Sequence, residues 1–291
     1  MYTIMGITGR VGGATARALL AAGKKVRGIV RDKAKAAAWE KLGVELAVGE
    51  GTDVDALTTA FQGAEGIFVM VPPCFTPAPG YPEARSVVAA LRKAIEASRP
   101  GRVVGLSSIG AQHDYSTGLI LQCHILEEEL GALPAPTAFV RAGWFMENSA
   151  GDVAPARDQG EIPAFLVPLD RPFPMVATED IGDLIASVLK QDWKGHRLLE
   201  LEGPQRYSSL DVAAAFSRLL EHRVVAKAVP HNEWAAVFES QGMAADRTAP
   251  RIEMVDGFNS GWIEFERKGT EYFRGKHTLE EVFRGLIGKI A

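Results

Sequence analysis

The sequence predicts an α/β protein: a doubly wound parallel sheet followed by a smaller C-terminal α+β region. Three observations carry this. Strand and helix alternate through about residue 150, and a strand–helix–strand rhythm forces parallel pairing, with helices on both faces of the sheet. The first strand enters the first helix through three glycines spaced by three, Gly6, Gly9 and Gly12. The composition, 47% hydrophobic and 23% charged over 291 residues, is that of an ordinary globular protein with ample material for a core.

Each element has its own signal. "YTIMGI" (2–7) is a short apolar run bounded by glycine, a buried strand. "RVGGATARALLAAG" (10–23) is alanine-rich with helical spacing and stops at Gly23. "KVRGIV" (25–30) is a second strand. "DKAKAAAWEKLG" (32–43) is a helix with Asp32 as N-cap and Gly43 as its stop. Strands at 44–48, 65–71, 102–107 and 137–142 then alternate with helices at 53–63, 82–98 and 117–133. Afterwards the rhythm loosens. A proline-rich loop, "AFLVPLDRPFPM" (164–175), precedes a helix at 177–191 for which Thr178 is the expected N-cap. A strand at 197–203, a capped helix at 208–221, a strand at 222–229, a helix at 231–242 and an amphipathic helix at 278–290 complete the chain. This divides the chain into a nucleotide-binding domain, 1–150, its sheet completed by later strands, and a substrate-binding region, 151–291, packed on the sheet's carboxyl edge.

The formal net charge of −4 offers no basic footprint for nucleic acid. Cys74 and Cys123 match no metal or redox spacing. No apolar run reaches membrane-spanning length, and a strand at residues 2–7 leaves no room for a signal peptide, so a cytoplasmic location is expected.

The glycines have a physical purpose. A strand turning tightly into a helix gathers backbone N–H groups at the helix N-terminus, where the macrodipole favours negative charge. Gly6 permits the turn, Gly9 permits close approach of a diphosphate, and Gly12 lets the helix pack on the sheet. A tight connection without a ligand is the alternative. At the end of the second strand, the position facing the adenosine ribose holds Arg31. An acid there accepts from a free 2′-hydroxyl, whereas an arginine accommodates a 2′-phosphate. With Lys33 and Arg10 nearby, this favours NADP(H) over NAD(H); the alternative is three ordinary solvated charges.

"GITGRVG", "VRGIVRD", "VMVPP", "LSSIGA" and "VRAGWFMEN" fall in the order and spacing of the NmrA-like atypical short-chain dehydrogenases/reductases, which the chain resembles from residue 1 to about 203. The resemblance implies a Rossmann domain with a smaller C-terminal substrate region. It also implies a function among NADPH-dependent quinone reductases, isoflavone-reductase-like enzymes and regulators that only sense NADP(H). By position, Gly6, Thr8, Gly9, Arg10, Val11 and Gly12 would hold the phosphates and Arg31 the 2′-phosphate. Glu50 would lie near the adenine. Val71, Pro72 and Pro73 would wall the nicotinamide ribose, with Ser107 beside the nicotinamide. Gly143, Trp144, Phe145 and Glu147 would belong to the loop over it.

Two departures shape the chemistry. The Tyr–Lys dyad of the wider superfamily is absent, since Tyr115 is followed four residues on by Leu119. The lysine position resembles His124, the one candidate catalytic and ribose-binding side chain, with Glu128 one turn on; a plain surface pair is the other reading. Ile7 is bulkier than the residue usual in its slot. A quinone's reduced form is an anion that water can protonate, so quinone or enone reduction needs no strong built-in acid. Phe75, Tyr81, Tyr115, Trp144 and Phe173 would wall a planar or aromatic substrate. The expectation is an NADPH-dependent oxidoreductase, monomer or homodimer, acting on a small quinone- or enone-like acceptor. The alternative is a non-catalytic NADP(H) redox sensor that binds a protein partner.

Overall fold

The alternation closes into one eight-stranded, wholly parallel sheet in the computed structural model, which describes residues 1–288. Its first six strands are β1 (Tyr2–Met5), β2 (Val26–Val30), β3 (Glu45–Val48), β4 (Gly66–Val69), β5 (Val103–Ser108) and β6 (Thr137–Ala142). Three short strands follow: β7 (Trp144–Phe145), β8 (Glu161–Ala164) and β9 (Met175–Val176). The main sheet then gains β10 (His196–Glu202) beside β6; β11 (Val225–Ala228) stays outside it, and β12 (Glu271–Arg274) closes the edge. The order is β12–β10–β6–β5–β4–β1–β2–β3. Two small parallel pairs, β8–β11 and β7–β9, lie apart from it.

Helices cover both faces, and others pack in the C-terminal region. The described helices are α1 (Arg10–Ala21), α2 (Ala37–Lys41), α3 (Val54–Phe61), α4 (Pro82–Ser98), α5 (Leu121–Gly131), α6 (Val153–Gln159), α7 (Thr178–Leu189), α8 (Ser209–Leu220), α9 (Trp234–Ser240), α10 (Ala249–Ser260) and α11 (Leu279–Ile287). Successive strand side chains point to opposite faces, so Ile4 joins the core under α1 and α7, while Met5 joins the core under α3, α4 and α5. The α1–α7 crossing is close because Gly182 has no side chain: a Cβ there would lie 2.6 Å from the Thr15 nitrogen. A third core, with Phe216 and Phe283 stacked at 4.5 Å, holds α8 and α11 together.

The chain departs from its sequence reading at several ends. The expected helix at 32–43 is a 3₁₀ turn at Ala34–Ala36 followed by the short α2, because the Asp32 carboxylate accepts from Ala34 N, two residues on, and makes a turn in place of a cap. Thr178 lies inside α7; Ala177 is at the cap position and offers no side-chain acceptor. Also present are α6, α10 and β12, which the periodicity did not announce. The last helix begins with a Thr278–Glu281 capping box, which its amphipathic pattern alone did not announce. Residues 289–290 of that expected helix, and 289–291 of the 151–291 region, lie outside the described residues.

Candidate active site

Parallel pairing puts every strand's carboxyl end on one edge. From β1 the chain goes one way to β2 and β3, and on the other side to β4, β5 and β6. The connections therefore part above β1 and β4, leaving a crevice at the switch in strand order, where open α/β sheets bind ligands.

The glycine turn forms the floor. Gly6 has φ +64°, a left-handed conformation that a side chain strains. A Cβ on Gly12 would lie 2.6 Å from the Gly6 carbonyl carbon and 2.7 Å from the Met5 oxygen, so only glycine lets α1 start this close to β1. Gly9 is the N-cap of α1 and supplies no side-chain cap, and no acid occupies the first turn. The first N–H groups of a twelve-residue helix thus have no acceptor from a cap side chain. Thr8 and Arg10 are exposed beside them, and Val11 is buried. One Arg10 N–H donates to the Glu147 carbonyl at 3.2 Å.

The other named residues line the same edge, each just beyond or at the end of its strand. Arg31 and Lys33 are exposed after β2, and Glu50 is exposed after β3. Val71 is half-buried after β4, with Pro72 and Pro73 exposed. Gly143 follows β6 and meets the chain at Pro174, where a Cβ would lie 2.5 Å from the carbonyl oxygen. Trp144 and Phe145 form β7 and are half-buried; Trp144 meets Phe258 edge-on at 5.3 Å.

Ser107, near the end of β5, is buried, and its hydroxyl donates to the Glu127 carboxylate of α5. Glu127 accepts from Arg141 Nε at 2.9 Å and Nη2 at 2.7 Å, and Arg141 reaches Glu266 at 2.8 Å. Burial opposes the Arg141 charge, but the Glu127 and Glu266 carboxylates outweigh it and raise its pKa above the ordinary range. With its O–H directed at Glu127, Ser107 has only lone pairs left for any further partner.

His124 donates from Nδ1 to the Ala111 carbonyl at 2.9 Å, which ties α5 to the loop after β5. Its Nε2 lies 4.0 Å from Glu128. Of the five aromatic residues expected to form a wall, Phe75 and Tyr115 are exposed. Phe173 is buried against Tyr207. Tyr81 donates to the Gly118 carbonyl at 2.9 Å, and burial, aided by Glu253, pushes its hydroxyl up to about 12. Burial, with Glu127 adding to it, likewise pushes the Cys123 thiol up to about 12, which disfavours the thiolate at neutral pH. Among the described residues, no cluster of three or more His, Cys, Asp or Glu is arranged to hold a metal, and no helix is long and apolar enough to cross a membrane.

Residues 2–249 match the sequence profile of the NmrA-like family. The chain belongs to that family. Over 218 residues it is 27% identical to an NAD(P)H azoreductase of Xenophilus azovorans, covering 75% of this chain and 73% of the relative. Its fold superposes on an NADPH-dependent quinone oxidoreductase of Escherichia coli, solved with NADPH, with a TM-score of 0.81 at 20% identity, covering 98% of this chain and 99% of that one. The triphenylmethane reductase of Citrobacter sp. gives a TM-score of 0.79 at 18% identity, covering 99% of each chain. At such identities the two structures speak for the fold.

This NmrA-like chain accommodates the bulk of Ile7 through Gly28 on β2. Ile7 is fully buried, and a Cβ on Gly28 would lie 2.8 Å from its Cδ1. Sequence reasoning missed how Glu147 works. Its carboxylate accepts from the Thr178 nitrogen at 2.9 Å and from the Thr178 hydroxyl, so a residue thirty-one positions away caps α7. The only sequence signal was an acceptor missing at Ala177.

Proposed function

We propose that the chain is an NADPH-dependent oxidoreductase that passes hydride to a small, planar quinone- or enone-like acceptor. One observation carries the reading: a helix N-terminus with no side-chain cap and no acid, opening on a turn that added Cβ atoms would fill. Those features fit a dinucleotide's diphosphate. Residues 1–150 would bind the nucleotide and 151–291 would shape the acceptor site. The family membership and the activities of the relatives, azoreductase, quinone oxidoreductase and triphenylmethane reductase, support the same chemistry.

The nicotinamide, when bound, supplies the hydride. The chain's own residues position and shield. Gly6, Thr8, Gly9, Arg10, Val11 and Gly12 would hold the diphosphate, and Arg31 the 2′-phosphate, with Glu50 near the adenine. Val71, Pro72 and Pro73 would flank the nicotinamide ribose under the Gly143–Phe145 loop. Ser107 would accept a hydrogen bond from the carboxamide, since its own O–H is donated to the Glu127 carboxylate. His124 would reach the ribose or a reduced acceptor through Nε2, because Nδ1 is held by Ala111. Phe75 and Tyr115 would stack on a planar acceptor. The test mixes the protein with NADPH and a panel of quinones and enones and follows loss of the reduced cofactor's absorbance. Turnover with at least one acceptor is expected; none with any would sink the proposal.

A second reading, a non-turnover NADP(H) sensor, is favoured by the absence of the Tyr–Lys dyad and by the engagement of Ser107 and His124 in internal bonds. Binding of both redox states without consumption of NADPH would select it.

A further inference from the structure

Of the two serines that end β5, Ser107 lies on the face covered by α5, and Ser108 turns to the opposite one. Arg141 stands beside Ser107, its partner across the β5–β6 ladder. Glu127 of α5 sits over both. Its carboxylate takes the Arg141 fork at 2.7 and 2.9 Å, and the oxygen that accepts from Arg141 Nε also accepts from the Ser107 hydroxyl. Ser107 and Arg141 are buried, and the Glu127 side chain is 10% exposed.

The direction of the serine bond is fixed by its neighbours. A carboxylate has no hydrogen to give and a guanidinium only donates, so the hydrogen between Ser107 and Glu127 is the serine's own. Bonds to an ionised acceptor are roughly twice as strong as neutral ones. Arg141 is itself anchored: its Nη1 donates to Glu266 at 2.8 Å, on the segment between α10 and β12, and the Glu266 nitrogen donates to the buried Glu200 at 2.7 Å. A serine hydroxyl elsewhere rotates to serve donors and acceptors alike. This one is held in a single direction.

We infer that Glu127 is a positioning residue that sets the polarity of Ser107. Held by Arg141, it keeps the hydroxyl an acceptor, so that the nicotinamide end of the cofactor site selects a ligand group that donates, such as a carboxamide N–H, over one that only accepts. The inference rests on the oxidoreductase reading, which puts Ser107 beside the carboxamide. It adds that a side chain touching no ligand decides which ligand group is preferred. Glu127→Gln should undo the device. The Arg141 fork keeps the amide oxygen, the amide N–H group is left to donate to Ser107 Oγ, and the serine O–H is released to donate in turn.

Calorimetric titration of the full chain compares NADP+ with its 3-acetylpyridine analogue, in which a methyl ketone replaces the carboxamide and no N–H remains. Both are oxidised, so turnover does not enter. The parent should bind NADP+ about tenfold more tightly than the analogue, the effect of one hydrogen bond. In Glu127→Gln the preference should fall to about twofold or less. In a Ser107→Ala background, Glu127→Gln should leave the ratio unchanged, because its effect passes through the hydroxyl. A residue that only held the fold together would weaken both nucleotides alike, with or without Ser107. Equal affinities in the parent, or a preference that survives Glu127→Gln undiminished, overturns the inference and leaves the oxidoreductase reading standing. A parent that binds neither nucleotide overturns that reading and the inference with it. If circular dichroism shows Glu127→Gln unfolded, Ser107→Ala decides: a preference lost there supports the inference, and a preference retained overturns it.

Discussion

Ile7 and Gly28 show how one residue's bulk is answered by another's absence. The isoleucine is buried where the strand leaves for the glycine turn, and the missing side chain across the β1–β2 ladder gives it room. Gly28→Ala should therefore destabilise the fold by about 1–3 kcal/mol through overpacking. Ile7→Ala in the same chain should return part of that loss, as a double-mutant cycle by urea denaturation would show. Additive effects would mean that the two do not compete for space. Asp152 carries a different strain. Burial, opposed by a hydrogen bond from Ser149, raises its carboxyl to about 6. The folded state then holds a proton that the unfolded state releases near 4. Stability from this group is greatest in acid and falls as pH rises between about 4 and 6, by up to about 3 kcal/mol. Asp152→Asn should raise the melting temperature at pH 7.5 and give no gain at pH 4. The reverse trend would show that the carboxylate is stabilised in the fold.

At the scale of elements, the ends of helices decide most. The capping boxes of α8 and α11 are local, Ser208 with Asp211 and Thr278 with Glu281, each with cap and acceptor three residues apart; the first was expected from the sequence and the second was not. The cap of α7 is not local. Glu147→Gln keeps an acceptor oxygen but removes the charge facing the helix N-terminus, and should cost about 1 kcal/mol, rising to about 2 for Glu147→Ala. Equilibrium unfolding would check both, and equal stability of the two variants would remove the charge from the account. The helix α10 escaped the periodic reading because its apolar residues do not fall on one face. Its termini were marked all the same, by Pro250 in the first turn and by Gly261 in the left-handed C-cap. It seats on Gly118, where φ is +54° and a Cβ would come within 2.8 Å of the Met254 nitrogen.

Across the whole molecule, the candidate cofactor groove runs from the loops after β2 and β3, over the glycine turn, to the loops after β4, β5 and β6. Arg31 stands exposed at one end, and Ser107 lies near the end of β5 beyond the turn. If Arg31 meets a 2′-phosphate, Arg31→Ala should weaken NADPH binding about tenfold to a hundredfold and leave NADH binding nearly unchanged. Equal losses for both cofactors would remove Arg31 from nucleotide choice. The far edge of the sheet depends on the C-terminal third of the chain. Glu200 and Glu202 on β10 are buried, and they are satisfied by the backbone of residues 266–267, by Arg206 and Arg267, and by the Tyr272 hydroxyl of β12. Carboxylates at that depth are stable only when such partners arrive together.

By itself the sequence determined the parallel sheet, the glycine turn and the order of the loops along its carboxyl edge. Each of these follows from local signals: apolar runs of strand length, helical spacing, and backbone conformations that only glycine adopts freely. Tertiary structure alone decided that Glu147 caps α7, that the Ser107 hydroxyl donates to Glu127, and that His277 reaches Asp180 beside the glycine turn. These pairs join residues from about twenty to about a hundred positions apart, and hydrogen bonds of that span follow from the path of the folded chain, which no short window of residues encodes.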